Sequence, residues 1–300
     1  MKVLITGATG LIGKAIVEHC FSKGIDVHYL TTSKAKLSNT EHYKGFLWNP
    51  SKKEIDIACF DGVDTIINLA GASISKRWTK SYKQKIIDSR LSSLALLYSS
   101  ISKHNFSIKH LISASAIGIY PDSLTNYYEE DFKKTSKSFL GEVASKWEDA
   151  VDVFKDLNIE TTKIRIGLVL SRNGGALPSI IRPIKIGFGS AFGTGEQWQS
   201  WIHVEDLAEM FIYCAEENLY GVYNGVAPNP VTNMDMTRVI AKKLKKPLIF
   251  PNTPKFALKI ILGEMHILLL ESQRVSANKI EARGFYFKFP NLQPALEDLL

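Results

Sequence analysis

A short apolar run, KVLIT, leads directly into the glycine-rich stretch TGATGLIG, and a helical pattern follows. Glycines in this arrangement constrain the fold strongly, because each has its own steric reason in a dinucleotide-binding turn. Gly7 allows the tight turn, Gly10 lets backbone N–H groups approach a pyrophosphate, and Gly13 lets the helix pack closely on the strand. The strand before and the helix after make the pattern specific. The residues predicted to contact the dinucleotide here are Gly7, Thr9, Gly10, Leu11, Ile12 and Gly13.

Short apolar runs alternate with longer helical patterns along the chain, and the runs are continuous, as in strands buried on both faces. The predicted strands are Lys2–Thr6, Asp26–Thr31, Asp64–Ala70, Lys109–Ser115, Thr161–Gly167 and a short one near Val222–Asn224. The predicted helices are Leu11–Ser22, Lys80–Lys103, Lys137–Leu157, Glu205–Glu217 and Asn233–Leu244. This alternation predicts the α/β class, with a Rossmann-type doubly wound parallel sheet and a small C-terminal substrate-side region.

The end of the second predicted strand bears on the choice of cofactor. NAD-binding proteins of this class usually carry Asp or Glu there for the ribose hydroxyls, whereas YLTTSKAK (Tyr29–Lys36) has no acid. Thr32, Ser33 and Lys34, with Lys36 beyond them, are suited to hold a 2′-phosphate instead. We therefore predict NADP as the cofactor, with NAD as the alternative in which both lysines are merely solvated.

Glycines become frequent after the strand that ends at Gly167, and they mark a loop-rich region between residues 174 and 195. We predict a NAD(P)-binding Rossmann domain over residues 1–230, in which residues 171–200 contribute to the substrate side. Residues 231–300 are predicted to form the C-terminal substrate-side region, packed against the first domain without a flexible linker.

Composition narrows the function classes. Net charge is +7, but the lysines are spread thinly with no run of five, which favours a solvated surface over a nucleic-acid site. Three cysteines without close spacing predict neither a disulfide framework nor a metal site, and they suit a reducing cytoplasm. No signal peptide or membrane-spanning stretch is recognisable. We expect a soluble cytoplasmic protein that binds an unidentified small molecule, neither nucleic acid nor membrane, in an oligomeric state that the sequence leaves open.

Several stretches together resemble one atypical branch of the extended short-chain dehydrogenase/reductase superfamily, the epimerase family proteins. Some members of this branch carry the name cell-division-inhibitor homologue. The matching stretches include NLAGASISKRWT, SRLSSLALL, SASAIGIY, FLGEVASKWE, RIGLVLSRNGGAL, WIHVEDLA and YNGVAPNPVTN. The stretch from Leu262 to Leu296 resembles the branch's short C-terminal domain of unknown function, which is expected from about residue 250. The resemblance covers essentially the whole chain.

This resemblance implies roles for further residues. Ser115 falls where the superfamily's catalytic serine lies, and Tyr120 is near it; the alternative for Ser115 is a hydroxyl bonded to nearby backbone. Arg90 could hold an anionic substrate, order the site, or form only a helix-surface salt bridge. The implied cofactor-side residues are Leu69, Ala70, Gly71 and Arg90. The implied substrate-side residues are Trp201 and His203, with a structural role as the alternative for His203.

A helix in the superfamily carries a catalytic Tyr and, four residues later, a Lys. In SFLGEVASKWEDAV the best register places Leu140 and Ala144 at these positions, both on the apolar stripe that faces the sheet. The rival register uses Glu142 and Lys146, which we predict to form an exposed i,i+4 ion pair instead. Tyrosine-dependent alcohol or ketone redox chemistry should then be absent.

A further departure lies before IHV, where nucleotide-sugar epimerases show an Arg-Asp pair that grips the sugar nucleotide. This chain has Gln199 and Ser200, and a neutral amide cannot replace a bidentate guanidinium. The first hypothesis is thus an NADP-binding, epimerase/dehydratase-like oxidoreductase of atypical mechanism, with Ser115 and Tyr120 or a water supplying the proton. The alternatives are a non-catalytic NADP-binding sensor or scaffold linked to cell division and, more distantly, an RNA-binding protein.

Overall fold

A computed structural model describes residues 1–300 of the protein, built around a nine-stranded, mostly parallel sheet. The strands are β1 Lys2–Thr6, β2 Asp26–Thr31, β3 Asn39–Thr40, β4 Tyr43–Asn49, β5 Glu54–Ile55, β6 Thr65–Asn68, β7 His110–Ala116, β8 Tyr127–Tyr128, β9 Glu160–Ile166, β10 Leu168–Ser171, β11 Gly174–Gly175, β12 Trp198–Gln199, β13 Trp201–His203, β14 Gly221–Gly225, β15 Val231–Thr232 and β16 Arg274–Val275. The helices are α1 Leu11–Ser22, α2 Lys80–His104, α3 Phe139–Asp152, α4 Leu177–Lys185, α5 Val204–Glu216, α6 Asn233–Lys243, α7 Lys255–Leu262, α8 Ile267–Leu270, α9 Asn278–Glu281 and α10 Leu292–Leu299. None of these helices combines the length and apolarity needed to cross a bilayer.

The central sheet has the strand order β14-β9-β7-β6-β1-β2-β4-β3, with β5 paired to β4. All pairs from β14 to β4 are parallel, and only β3 and β5 run antiparallel to β4. The order reverses between β1 and β6, so a crevice opens there at the carboxyl ends of the strands. The predicted Rossmann-type α/β fold is therefore confirmed.

The helices cover the two faces of the sheet in pairs, α1 with α5 and α2 with α3. Right-handed crossovers that wind in opposite directions from β1 and from β6 place the two pairs on opposite faces. A main core of apolar side chains fills both interfaces, with Leu4, Ile5, Ile66 and Ile67 fully buried at its centre. This packing fixes the relative heights of the strand ends at the crevice.

A second apolar core lies beside the sheet and joins the loop-rich region to the C-terminal region. It contains Leu177 and Trp201 together with Ile240, Leu292 and Leu296. The division at residue 230 stays a prediction, and the two parts on either side of it share this core. Helix α4 lies where the sequence predicted loops, since its nine residues include Pro178 and Pro183 and read as a turn region.

The last part of the chain, residues 272–289, runs back across the molecule and is hydrogen-bonded to earlier elements. Strand β16 pairs with β8, and the Ser200 hydroxyl accepts from the Val275 N–H at 2.9 Å. The Asp206 carboxylate accepts from the backbone N–H groups of Lys288 and Phe289 at 2.7 and 3.0 Å. The Ser276 carbonyl accepts from the side-chain amide of Asn224, on β14, at 3.0 Å, so the C-terminal region is also tied to the central sheet through a buried polar group.

Candidate active site

The turn after β1 has the geometry of an anion-binding loop. Gly7 has a φ of +79°, and the Gly10 N–H donates to the Gly7 carbonyl at 2.9 Å. A Cβ on Gly13 would lie 2.3 Å from the Gly7 carbonyl oxygen and 2.6 Å from Ala8 Cα, so only glycine fits there. No side chain caps helix α1, so its first N–H groups are left free for a ligand. Thr9, Leu11 and Ile12 lie half-buried on the rim of the loop.

The opposite wall of the crevice is held in place by Thr6. Its hydroxyl donates to Asn68 Oδ1 at 2.8 Å and accepts from the N–H groups of Leu69 and Ala70 at 3.0 and 3.1 Å. Asn68 in turn donates to the Ser113 hydroxyl at 2.9 Å. Our sequence reasoning missed Thr6 and Asn68, although polar side chains inside apolar strands, one residue before each turn, were the available signal.

The segment after β2 approaches the same loop. The Ser33 N–H donates to Thr31 Oγ1 at 3.2 Å, which turns the chain, while Thr32 and Lys34 are exposed. Lys36 Nζ reaches across to Thr9 Oγ1 at 3.4 Å. This lysine, rather than Lys34, therefore brings a positive charge to the glycine loop, and no carboxylate from this segment opposes it.

Ser115 and Tyr120, the residues predicted to supply the proton, lie in a buried hydrogen-bond network. The Ser115 hydroxyl donates to Glu148 at 2.7 Å, and the Tyr120 hydroxyl donates to Asn224 at 2.8 Å and accepts from Arg165 at 2.9 Å. Both side chains are at most 3% exposed. Burial raises the pKa of Tyr120 to about 12, which makes the phenol a poor acid.

Glu148 and Arg165 form the centre of that network. Two bonds join them, from Nε at 2.8 Å and from Nη2 at 3.0 Å, and both side chains are buried. A buried ion pair of this kind is stable only while all its partners are present. The hydroxyls of Ser115 and Tyr120 are such partners, so the structure gives them a structural role.

Helix α3 confirms the predicted surface pair. Lys146 Nζ lies 2.7 Å from Glu142 Oε1, and both side chains are about half exposed, at 48% and 50%. Ala144 is buried on the opposite side, and Leu140 is half-buried. Leu140 packs so closely on the loop after β7 that a Cβ on Gly118 would lie 2.9 Å from its Cβ.

Arg90, on the inner side of α2, lies against the loop that follows β6. Its Nη1 donates to the carbonyls of Ala72 and Ile86 at 3.2 and 2.9 Å, and a Cβ on Gly71 would lie 2.9 Å from its Cζ. The guanidinium stacks on the Trp147 ring at 4.6 Å. Burial lowers the pKa of Arg90 to about 10, and no carboxylate pairs with it. The predicted alternative of a helix-surface salt bridge is therefore wrong.

The two predicted substrate-side residues are both inside the protein. Trp201 is fully buried in the second core, and its indole N–H donates to the Asn229 carbonyl at 3.0 Å. His203 caps α5 by accepting from the Glu205 N–H at 3.1 Å. Its Nε2 lies 3.3 Å from Asp298 without the alignment of a hydrogen bond, and burial lowers its pKa. Both side chains are buried, and the capping contact of His203 agrees with the structural role that was its alternative.

Comparisons with known proteins agree with this geometry. An epimerase family protein of Staphylococcus aureus is 36% identical over 301 residues, which cover 100% of this chain and 99% of the relative. The structure of the human epimerase family protein SDR39U1 (isoform 2) with NADPH has a TM-score of 0.84 at 27% identity, with coverage of 100% and 99%. A UDP-glucose 4-epimerase of Thermus thermophilus in complex with NAD shares the fold, with a TM-score of 0.79 at 18% identity and coverage of 100% and 98%.

Two family models match the chain in separate parts. Residues 253–299 match a domain of unknown function (DUF1731), close to the expected start at about residue 250. Residues 3–225 match the model of the NAD dependent epimerase/dehydratase family, and this range contains the whole central sheet from β1 to β14. The glycine loop, the strand order and these matches lead to one conclusion: the chain belongs to the NAD dependent epimerase/dehydratase family.

Proposed function

We propose that the protein binds NADP(H) in the crevice between β1 and β6 and acts as an oxidoreductase of atypical mechanism on a small substrate. The observation that carries the proposal is the glycine loop, whose free N–H groups at the start of α1 form an anion site. The family supports a nicotinamide dinucleotide, and the human relative was solved with NADPH. When bound, such a cofactor supplies hydride transfer.

The residues present fit this cofactor. Gly7 and Gly13 let a pyrophosphate come close to the backbone of the loop. Leu69, Ala70 and Gly71 lie on the facing side of the crevice. Lys36, beside Thr9, is the cation best placed for a 2′-phosphate, with Thr32, Ser33 and Lys34 around it. This arrangement supports NADP over NAD as the proposed cofactor.

The same site is poor in proton donors. Leu140 and Ala144 form an apolar wall on α3, and the hydroxyls of Ser115 and Tyr120 are engaged elsewhere. An apolar wall excludes water but cannot protonate an alkoxide. We therefore propose an activated alkene, an imine or a quinone-like compound as substrate, because hydride addition to these needs less acid assistance than ketone reduction.

A nucleotide sugar is a poor candidate for this site. Ser200 follows Gln199 at the place where the Arg-Asp pair is expected, and its hydroxyl donates to the Gln273 carbonyl at 2.8 Å. It also accepts from the Val275 N–H, so the hydroxyl is hydrogen-bonded to the C-terminal region and is not free to contact a diphosphate.

Titration with both cofactors tests the first half of the proposal. We expect NADPH to bind at least about tenfold more tightly than NADH, because a charge-assisted phosphate contact contributes roughly 1.5–3 kcal/mol. Lys36→Met should remove most of this preference by weakening NADPH alone, and Lys34→Met should have the smaller effect. Lys103→Met, an exposed change in the last turn of α2, serves as the control. A clear preference of the unmodified protein for NADH would refute the assignment.

An NADPH-oxidation screen tests the second half. Panels of ketones, nucleotide sugars and conjugated acceptors should give turnover only with the conjugated acceptors. Robust turnover of simple ketones that is lost in Ser115→Ala would overturn the proposed mechanism. Tight NADPH binding with no turnover in any panel would favour the non-catalytic sensor or scaffold.

A further inference from the structure

The Arg90 guanidinium is a largely buried cation without an anionic partner. It makes hydrogen bonds only through Nη1, to the carbonyls of Ala72 and Ile86, while its Nε is buried with no hydrogen-bond partner. No carboxylate lies within 4.0 Å of it, whereas the two buried cations of β9, Lys163 and Arg165, each have one. An unpaired buried charge costs several kcal/mol, so its retention calls for a partner.

A second orphan donor lies beside the first. The Trp147 side chain is 6% exposed, its ring stacks on the Arg90 guanidinium at 4.6 Å, and its indole Nε1 is buried with no hydrogen-bond partner. Buried donors in folded proteins are nearly always satisfied by protein, water or ligand. Two adjacent orphan donors and no orphan acceptor therefore indicate that the missing partner brings acceptor oxygens.

The position of this pair in the fold suggests which ligand brings those oxygens. Trp147 follows Ala144 by three residues, so the two share one face of α3. The guanidinium lies between that face and Gly71, at the end of β6. Arg90 thus brings a positive charge from α2 to the Trp147 ring, one turn of α3 from Ala144.

We propose that Arg90 and Trp147 form a binding site for an anionic oxygen group, a carboxylate or a phosphate, at the nicotinamide end of the crevice. This inference rests on the proposed function only for the location of the nicotinamide. The neighbouring Leu140 and Ala144 keep the surroundings apolar, which strengthens a charge-assisted hydrogen bond. The carboxylate of a substrate and the phosphates of the cofactor are the two sources of such a group.

Two binding measurements distinguish these sources. NADPH is titrated into the protein, and benzoate is then titrated into the NADPH-saturated protein, with benzamide as the uncharged control. The variants are Arg90→Met, which removes the cation, and Trp147→Phe, which keeps a stacking ring and removes only the N–H donor. Lys85→Met, an exposed change on the same helix, is the matched control.

We expect benzoate to bind at least tenfold more weakly to Arg90→Met and a few-fold more weakly to Trp147→Phe, while benzamide binds as before. Weaker NADPH binding in both variants, with benzoate unaffected, would support the site with the cofactor as its source. Unchanged affinity for both probes in folded variants would overturn it and leave water as the partner. If Arg90→Met does not fold, the benzoate and NADPH affinities of Trp147→Phe alone test the proposal.

Failure of the proposed function would give a different result in these titrations from failure of the anion site. If the unmodified protein does not bind NADPH, the benzoate titration is made on the protein without cofactor. Loss of benzoate binding in both variants under that condition would still support the anion site.

Discussion

Replacing Gly13 by alanine should destabilise the protein through a single added methyl group. The Cβ would lie 2.3 Å from the Gly7 carbonyl oxygen and 2.6 Å from Ala8 Cα, whereas ordinary contacts begin near 3.4 Å. These neighbours are backbone atoms of the turn, so α1 has to move away from β1 by about the overlap. Overpacking of this kind costs ~1–3 kcal/mol, which corresponds to a fall in melting temperature of roughly 2–5 °C for a chain of this size.

Gly10→Val is the matched comparison on the same loop. A Cβ at residue 10 meets only the Gly7 carbonyl oxygen, at 3.2 Å, and otherwise points into open space. The variant should therefore fold with a loss of only ~1 kcal/mol, from replacing an N-cap glycine by valine. Its side chain would nevertheless block the approach to the first N–H groups of α1, so NADPH binding should be abolished.

Thermal melting followed by circular dichroism and NADPH titration by fluorescence separate the two effects. Gly13→Ala should lower the melting temperature most, and Gly10→Val should lose the cofactor while melting close to the unmodified protein. Unchanged NADPH affinity in folded Gly10→Val, or an unchanged melting temperature for Gly13→Ala, would refute this account of the loop.

Four further variants test other parts of the structure. Ser115→Ala should cost ~1.5–3 kcal/mol of stability, because it removes a hydrogen bond to a charged group. Glu148→Ala should cost ~3–5 kcal/mol, because it leaves a buried guanidinium unpaired. Urea unfolding measures both losses, and a Glu148→Ala variant as stable as the unmodified protein would contradict the network. Glu142→Gln with Lys146→Met should leave NADPH affinity and any turnover unchanged, since both side chains are exposed; a large loss of activity in the stable double variant would restore the rival helix register. A hydrogen bond to Glu209 raises the pKa of His19, so this histidine stabilises the fold below its unfolded pKa of about 6.5 and the contribution is lost as the pH rises through the raised value. His19→Gln should therefore melt lower than the unmodified protein at pH 5.5, and the deficit should shrink by pH 8.5; a deficit that grows with pH would show the sign to be wrong.

Local sequence patterns predicted the first strands and the first helix of the fold well. Strands β1 and β2 and helix α1 have the predicted bounds, because continuous apolar runs and the glycine turn act over a few residues. Strand β4 was missed, since YKGFLWN mixes polar and apolar residues in a half-buried strand near the edge of the sheet. Local sequence patterns do not predict a strand such as β4, because its burial is set by the rest of the sheet.

The site was less predictable for the same physical reason. The exposure of Ser115, Tyr120 and Trp201 depends on partners 28 to 104 residues away, which no local pattern reveals. The exposed pair on α3 was predictable because both of its members lie on one helix. Lys36 was among the residues predicted for a 2′-phosphate, but its position beside Thr9, like that of Trp147 beside Arg90, depends on elements that meet only in the folded chain.

The hydrogen bonds that tie residues 272–289 to the sheet also set an order of events during synthesis. The central sheet is complete once β14, ending at Gly225, has left the ribosome. Asp206 accepts from donors 82 and 83 residues later in the chain, and Ser200 from one 75 residues later. At a translation rate of 5–20 residues per second, roughly 4–16 s pass before the donors to these carboxylate and hydroxyl oxygens have been synthesised. The crevice between β1 and β6 can therefore form on the nascent chain, whereas the contacts of residues 272–289 with Ser200 and Asp206 form only after translation has passed residue 289.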